Sequence, residues 1–158
     1  MAVKKYILPA LCILAIVLLS IPAYQYISGR DALTRNNIAF HKAVDKLQSD
    51  SAVWNDIVPF AWDSFYLFGY GVTREEMAAS TEVSADSLKE PANEGQVALL
   101  FVKDKKVVCQ ITDFPSRMGY SLRLADDQNG GDRIDYTDHA RFSMIQSDGQ
   151  KIFTQENP

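Results

Sequence analysis

At 158 residues, 47% of them hydrophobic and 23% charged, the chain has room for one ordinary folded domain and a terminal segment, and its balance is not that of a disordered protein. The formal net charge is −4. Setting aside Lys4 and Lys5 moves the remainder to −6, which excludes the strongly basic balance of a nucleic-acid-binding domain and argues against docking on anionic lipid.

The apolar residues are unevenly placed. Tyr6 to Ala23 contains no charged side chain and is dominated by Leu, Ile, Val and Ala. At ~1.5 Å of rise per residue, such a run with Tyr24 spans a bilayer as a helix. Lys4 and Lys5 precede it, while Tyr24 and Tyr26 follow at the level of a membrane interface. The positive-inside rule keeps the short tail in the cytoplasm and sends the rest across. The expected organisation is residues 1–29 as cytoplasmic tail and membrane anchor, and residues 30–158 as an extracytoplasmic domain. A cleaved secretory signal is the alternative, with Ser20-Ile21-Pro22-Ala23 before the cut, although Ile21 departs from the small residue preferred there. Cys12 lies inside the apolar run, which leaves Cys109 without an intramolecular disulfide partner in the exported part.

Further along, Asp31 can cap a helix whose apolar stripe is Leu33, Phe40, Val44 and Leu47, with Asn37 and Ala43 beside it. Trp62 to Phe68 is aromatic-rich and apolar on both alternating faces except near its start, which suits a central strand. Thr73-Arg74-Glu75-Glu76 has capping-box spacing and predicts a short helix from Arg74 to Ser80. Thr81 to Gln96 is polar, with Pro91 and Gly95, and reads as a long connector. Val97–Val102 and Lys106–Thr112, joined by Lys103-Asp104-Lys105, predict a hairpin. Tyr120, Leu122 and Leu124 alternate with Ser121 and Arg123 as a third strand with one wet face. Arg141–Gln146 and Lys151–Thr154 flank Ser147-Asp148-Gly149-Gln150, where Asp-Gly suits a tight turn. The expected fold is α+β: an N-terminal transmembrane or signal helix, then one mostly antiparallel sheet of about five or six strands with one principal packed helix.

Residues able to carry chemistry are few. The Asp126–Asp132 loop is rich in oxygens, but an EF-hand frame opened at Asp127 puts Gly131 at a ligand position, and one opened at Asp126 puts Thr137 where a bidentate Glu belongs. Asp135, Asp138 and His139 lack zinc spacing. Cys109 lies in a strand-like run, on the side of Val107 and Ile111, where a thiol behaves as a small hydrophobe. Asp63, beside Trp62 and Tyr66, has the setting of a carboxylic acid with a raised pKa but no assignable second carboxylate. No catalytic, metal-ligating or cofactor-binding residue is therefore assigned. The candidate ligand or partner surface is Trp62, Asp63, Tyr66 and Tyr70, with core packing as the competing role of these aromatics.

The stretch Trp62-Asp63-Ser64-Phe65-Tyr66-Leu67-Phe68-Gly69-Tyr70, followed by Thr73-Arg74-Glu75-Glu76, resembles a pattern of uncharacterised small exported bacterial proteins, as does the strand–turn–strand from Leu99 to Val108. The resemblance covers about a third of the chain and implies an exported α+β domain. It brings no activity with it.

Taken together, these features point to a membrane-tethered or exported, non-enzymatic binding or accessory domain. Its expected partners are the membrane, through the N-terminal segment, and a protein in the periplasm or at the cell surface, with no nucleic acid and no cofactor. Two alternatives are an inhibitor or immunity protein against an extracytoplasmic enzyme, and an envelope-acting hydrolase using Asp63, Asp135, Asp138 or His139.

Overall fold

A computed structural model describes residues 31–125 and 132–156. The apolar N-terminal segment, Cys12 and most of the Asp126–Asp132 loop lie outside that range. Helix α1 runs over 31–46. Its stripe works as expected: Phe40 and Val44 are fully buried, whereas Ile38, off the stripe, is exposed. Among the described residues no helix is long and apolar enough to cross a membrane.

After α1 come β1 (Ser51–Val53), the single turn α2 (Trp54–Ile57), β2 (Ser64–Gly69) and α3 (Arg74–Thr81). They are followed by β3 (Val97–Lys103), β4 (Lys106–Asp113), α4 (Pro115–Met118), β5 (Tyr120–Arg123), β6 (Asp132–Asp135), β7 (Arg141–Ser147) and β8 (Gln150–Gln155). The strands form two four-stranded sheets, in the orders β1-β7-β8-β5 and β4-β3-β2-β6. The fold is α+β, but the single sheet expected from the sequence is corrected to two. The sheets interleave along the chain, and the chain leaves the second of them after β4. Pro115 starts α4, and Gly119, at φ +79°, ends it in the left-handed conformation. The chain thus turns away from β4, and β5 pairs in parallel with β8, Tyr120 opposite Lys151. All the other pairings are antiparallel.

The sheet containing β2 and β3 is buried on both faces, which is why both strands read as nearly continuous apolar runs. One face carries Phe65, Leu99 and Phe101 into the main core, where they meet Phe40 and Val44 of α1, Trp54, and Phe142 and Phe153 of the other sheet. Phe101 lies among the rings of Phe65, Phe40, Phe60 and Trp62, with centroids 4.7, 5.1, 5.3 and 6.0 Å away. Such tilted and edge-to-face pairs add to the stabilisation from area burial alone. The opposite face carries Tyr66, Phe68, Ala98, Leu100 and Val102, which pack with Met77, Val83 and Leu88.

This second cluster changes the reading of the connector. Thr81, Val83, Leu88 and Pro91 are buried, so the polar-looking segment after α3 covers the back of a sheet. The capping box at its start forms as expected: the Thr73 amide donates to Glu76 Oε2 at 2.8 Å, and the Glu76 amide to Thr73 Oγ1 at 3.3 Å. Cys109 and Ile111 face the main core, whereas Val107 packs in the second cluster. Val107 is therefore not on the side of Cys109, a correction whose cause is a shift in register. Phe101 lies opposite Cys109 and Val102 opposite Val107, which bulges Val108 out of step. The described residues from Leu33 onward form one compact unit.

Candidate interaction site

The four residues singled out from sequence do not share one surface. Trp62 is buried in the main core, its ring 5.3 Å from that of Tyr136. Tyr66 is buried on the other face of β2, stacked on Phe68 at 6.0 Å, with the Arg133 guanidinium 5.6 Å from its ring centre. Tyr70 lies beyond the strand and is 56% exposed. Asp63 is half-buried. Its carboxylate accepts from Lys103 Nζ and, at 2.8 Å, from the Asp104 amide. Those bonds hold its pKa below the usual carboxylate range, the Lys103 hydrogen bond contributing most. Asp63 therefore braces the β3–β4 turn, where Asp104 and Lys105 adopt φ +49° and +57° without a glycine. It is held as a carboxylate, opposite to the raised pKa a general acid needs.

A second polar cluster joins β2 to β6. Ser64 lies opposite Asp135 in register and donates to its Oδ1 at 2.6 Å, while Arg133 approaches the same oxygen at 2.7 Å. The Asp135 amide donates to Asp138 Oδ2 at 2.7 Å. Asp135 and Asp138 thus meet, but as the cap of a single turn of 3₁₀ helix, Tyr136–Asp138. His139, exposed and at φ +47°, ends that turn. Cys109 is fully buried, and that burial pushes its thiol pKa up, away from the thiolate a nucleophile needs. Among the described residues, no three His, Cys, Asp or Glu side chains converge as a metal cradle would require.

Comparison with protein-family models, curated proteins and solved structures gives no match. The candidate site therefore rests on this chain's own geometry.

The most distinctive concave feature is an open groove of about 870 Å³ where the end of α1 overhangs β7. Asp45, Leu47, Gln48 and Asp50 form one wall, Ser143, Met144, Ile145 and Gln146 the other, and Lys151 also lines it. Four consecutive strand residues can line one groove only if it meets the strand edge-on, because successive side chains point to opposite faces. The edge belongs to β7. Strand β1 covers Arg141 to Ser143, and one further bond, from the Met144 amide to the Asp50 carbonyl at 2.7 Å, closes the pairing. Among the described residues no strand pairs with Ile145–Ser147 on that side.

Lys151 fixes the overhang. Its Nζ donates to the carbonyls of Val44, Asp45 and Leu47 at 2.8, 2.6 and 2.8 Å. Val44 and Asp45 lie in the last turn of the helix and Leu47 just beyond it; the Val44 carbonyl also accepts from the Leu47 amide at 3.2 Å, and a cation there opposes the negative end of the helix dipole. Engaged in this way, the ammonium stabilises the wall, while Asp45 and Asp50, both exposed, make the lining acidic.

The opposite situation holds at β4, an edge strand of the other sheet. Asn37 Nδ2 donates to the Gln110 carbonyl at 2.8 Å, its Oδ1 accepts from the Gln110 amide at 3.1 Å, and Asn36 Nδ2 donates to the Val108 carbonyl at 2.8 Å. The Gln110 side chain in turn bonds both the amide and the carbonyl of Lys89. Asparagine amides reproduce the donor and acceptor of a neighbouring strand, and they cover that edge at Val108 and Gln110, while Gln110 to Asp113 line a smaller groove beside Lys89 and His41. Sequence reasoning missed both features. The signal for the open one was present in the length of β7 and in the exposed Ile145, but it needed the register of β1.

Proposed function

We propose that the chain is a membrane-tethered or exported, non-enzymatic binding domain, carried out of the cytoplasm by its Tyr6–Ala23 segment and engaging a protein partner in the periplasm or at the cell surface. The observation that carries the reading is the edge-on groove at β7, behind a sequence with the composition of an export segment. The way the candidate acids are engaged adds support: Asp63 braces a turn, and Asp135 and Asp138 cap one. A reporter fused at the C-terminus tests the address, and activity confined to the cytosol would overturn it. Binding is tested by photo-crosslinking in intact cells from position 145, with position 38 as an exposed control on α1. A discrete protein adduct from position 145 alone is expected, and a bare monomer from both positions would contradict the reading.

A further inference from the structure

We infer that the β7 edge takes an extended, cationic peptide segment of a protein partner as an added strand. This rests on the binding reading above and gives it a chemistry. Main-chain groups along an antiparallel strand point alternately to its two edges. The Met144 amide points to β1, where it bonds Asp50, so the amide and carbonyl of Gln146, two residues on, face the same side. On the other side the pairing of β7 with β8 is complete to the turn, with Ser147 opposite Gln150. The donor and acceptor of Gln146 therefore open into the groove, in line with β1 and just beyond its start. An incoming strand would take up both bonds and continue the line of β1, the recognition mode in which main-chain bonds give affinity and side-chain surroundings give specificity.

The surroundings choose the occupant. Among the described residues, the acidic groups lining the groove are Asp45 and Asp50, and its one cation, Lys151, is turned into three carbonyls of the overhanging wall. A Lys or Arg alternating with apolar residues would place positive charge against Asp45 and Asp50 and an apolar side chain beside Ile145, which is 62% exposed. An acidic segment would meet like charge.

The test uses the full chain in detergent micelles and a blocked hexapeptide alternating lysine and valine, followed through the amide signals of Gln146, Ile145 and Ser147, the last two serving as the readout in Gln146→Pro. Binding that shifts and protects the Gln146 amide is expected. It should weaken about tenfold or more when alternate peptide nitrogens are methylated, and comparably in Gln146→Pro, which removes the donor. The glutamate–valine counterpart should bind about tenfold more weakly, a preference that D45N/D50N should erase. Absence of binding at millimolar peptide, or binding indifferent to N-methylation, would overturn the inference without depending on how any variant folds. Dimerisation without peptide that Gln146→Pro abolishes would assign the edge to a second copy and equally overturn it. Should crosslinking from position 145 in cells still capture one partner in Gln146→Pro at undiminished yield, strand addition fails while the broader binding reading stands.

Discussion

Two sheet edges in this domain are treated in opposite ways. At β4, α1 lies alongside and Asn36 and Asn37 answer the strand's free carbonyls and amide. At β7, the end of the same helix stands off behind a groove, and a lysine holds it there. An uncovered edge invites pairing with other chains, and folded proteins ordinarily blunt it. One helix that bonds one edge at Val108 and Gln110 and frames the other without bonding it teaches that the opening at β7 is built into the packing of the domain.

The largest expected effect comes from releasing the frame. Lys151→Met keeps the aliphatic stem but leaves three carbonyls without their charged donor, so unfolding stability should fall by about 2–3 kcal/mol. Chemical denaturation would show this, and a change under about 0.5 kcal/mol would mean that the ammonium does not pin the helix end. Unsealing β4 comes next. Asn37→Ala removes a donor and an acceptor from a half-buried main-chain pair, for a loss of about 1–2 kcal/mol. Asn37→Asp should also destabilise, because it retains the acceptor but sets a negative charge against the Gln110 carbonyl. Equal stability of the wild type and Asn37→Asp would show that the edge is not sealed by that amide.

A smaller effect concerns the turn beside β4. Asp63 has a depressed pKa in the folded chain, so its contribution is present above the ordinary aspartate value of about 4 and is lost as pH falls through the folded value. Asp63→Asn should lower the melting temperature slightly at pH 7, and the gap from wild type should close as the pH is taken below that of ordinary aspartate. A gap independent of pH would deny the carboxylate its bracing role. The smallest effect belongs to the open edge itself. Gln146→Pro should alter stability by no more than about 0.5 kcal/mol, since the amide it removes has no partner among the described residues and proline is tolerated on a strand edge. A loss of several kcal/mol would mean that the edge is occupied.

Much of the fold was legible before the structure because it depends on local chemistry. The stripe of α1, the Thr73–Glu76 box, the β3–β4 hairpin and the Asp148-Gly149 turn each have a short-range cause, and each forms. The misreadings involve choices between distant partners. Nothing local in Tyr120–Arg123 distinguishes pairing with β4 from parallel pairing with β8, and the three residues of β1 are too few for an alternating pattern to register. The Thr81–Gln96 connector looked solvated because only Thr81, Val83, Leu88 and Pro91 face inward, at irregular spacing. The candidate surface was misplaced for a related reason. Trp62 and Tyr66 are aromatic because β2 is buried on both sides, and a strand filled on both faces looks in sequence much like a binding strip. The groove arises where β1 stops short of the end of β7, a difference in length between strands about ninety residues apart in a chain whose loops close without local pattern.

The most direct test is amide hydrogen exchange measured at two glutamines in one experiment. The Gln110 amide, bonded to Asn37 Oδ1, should exchange slowly, and the Gln146 amide should exchange close to the rate of an unstructured chain until the lysine–valine peptide is added. Comparable strong protection of both amides without peptide would contradict the account, because the edge proposed to receive a partner would already be filled.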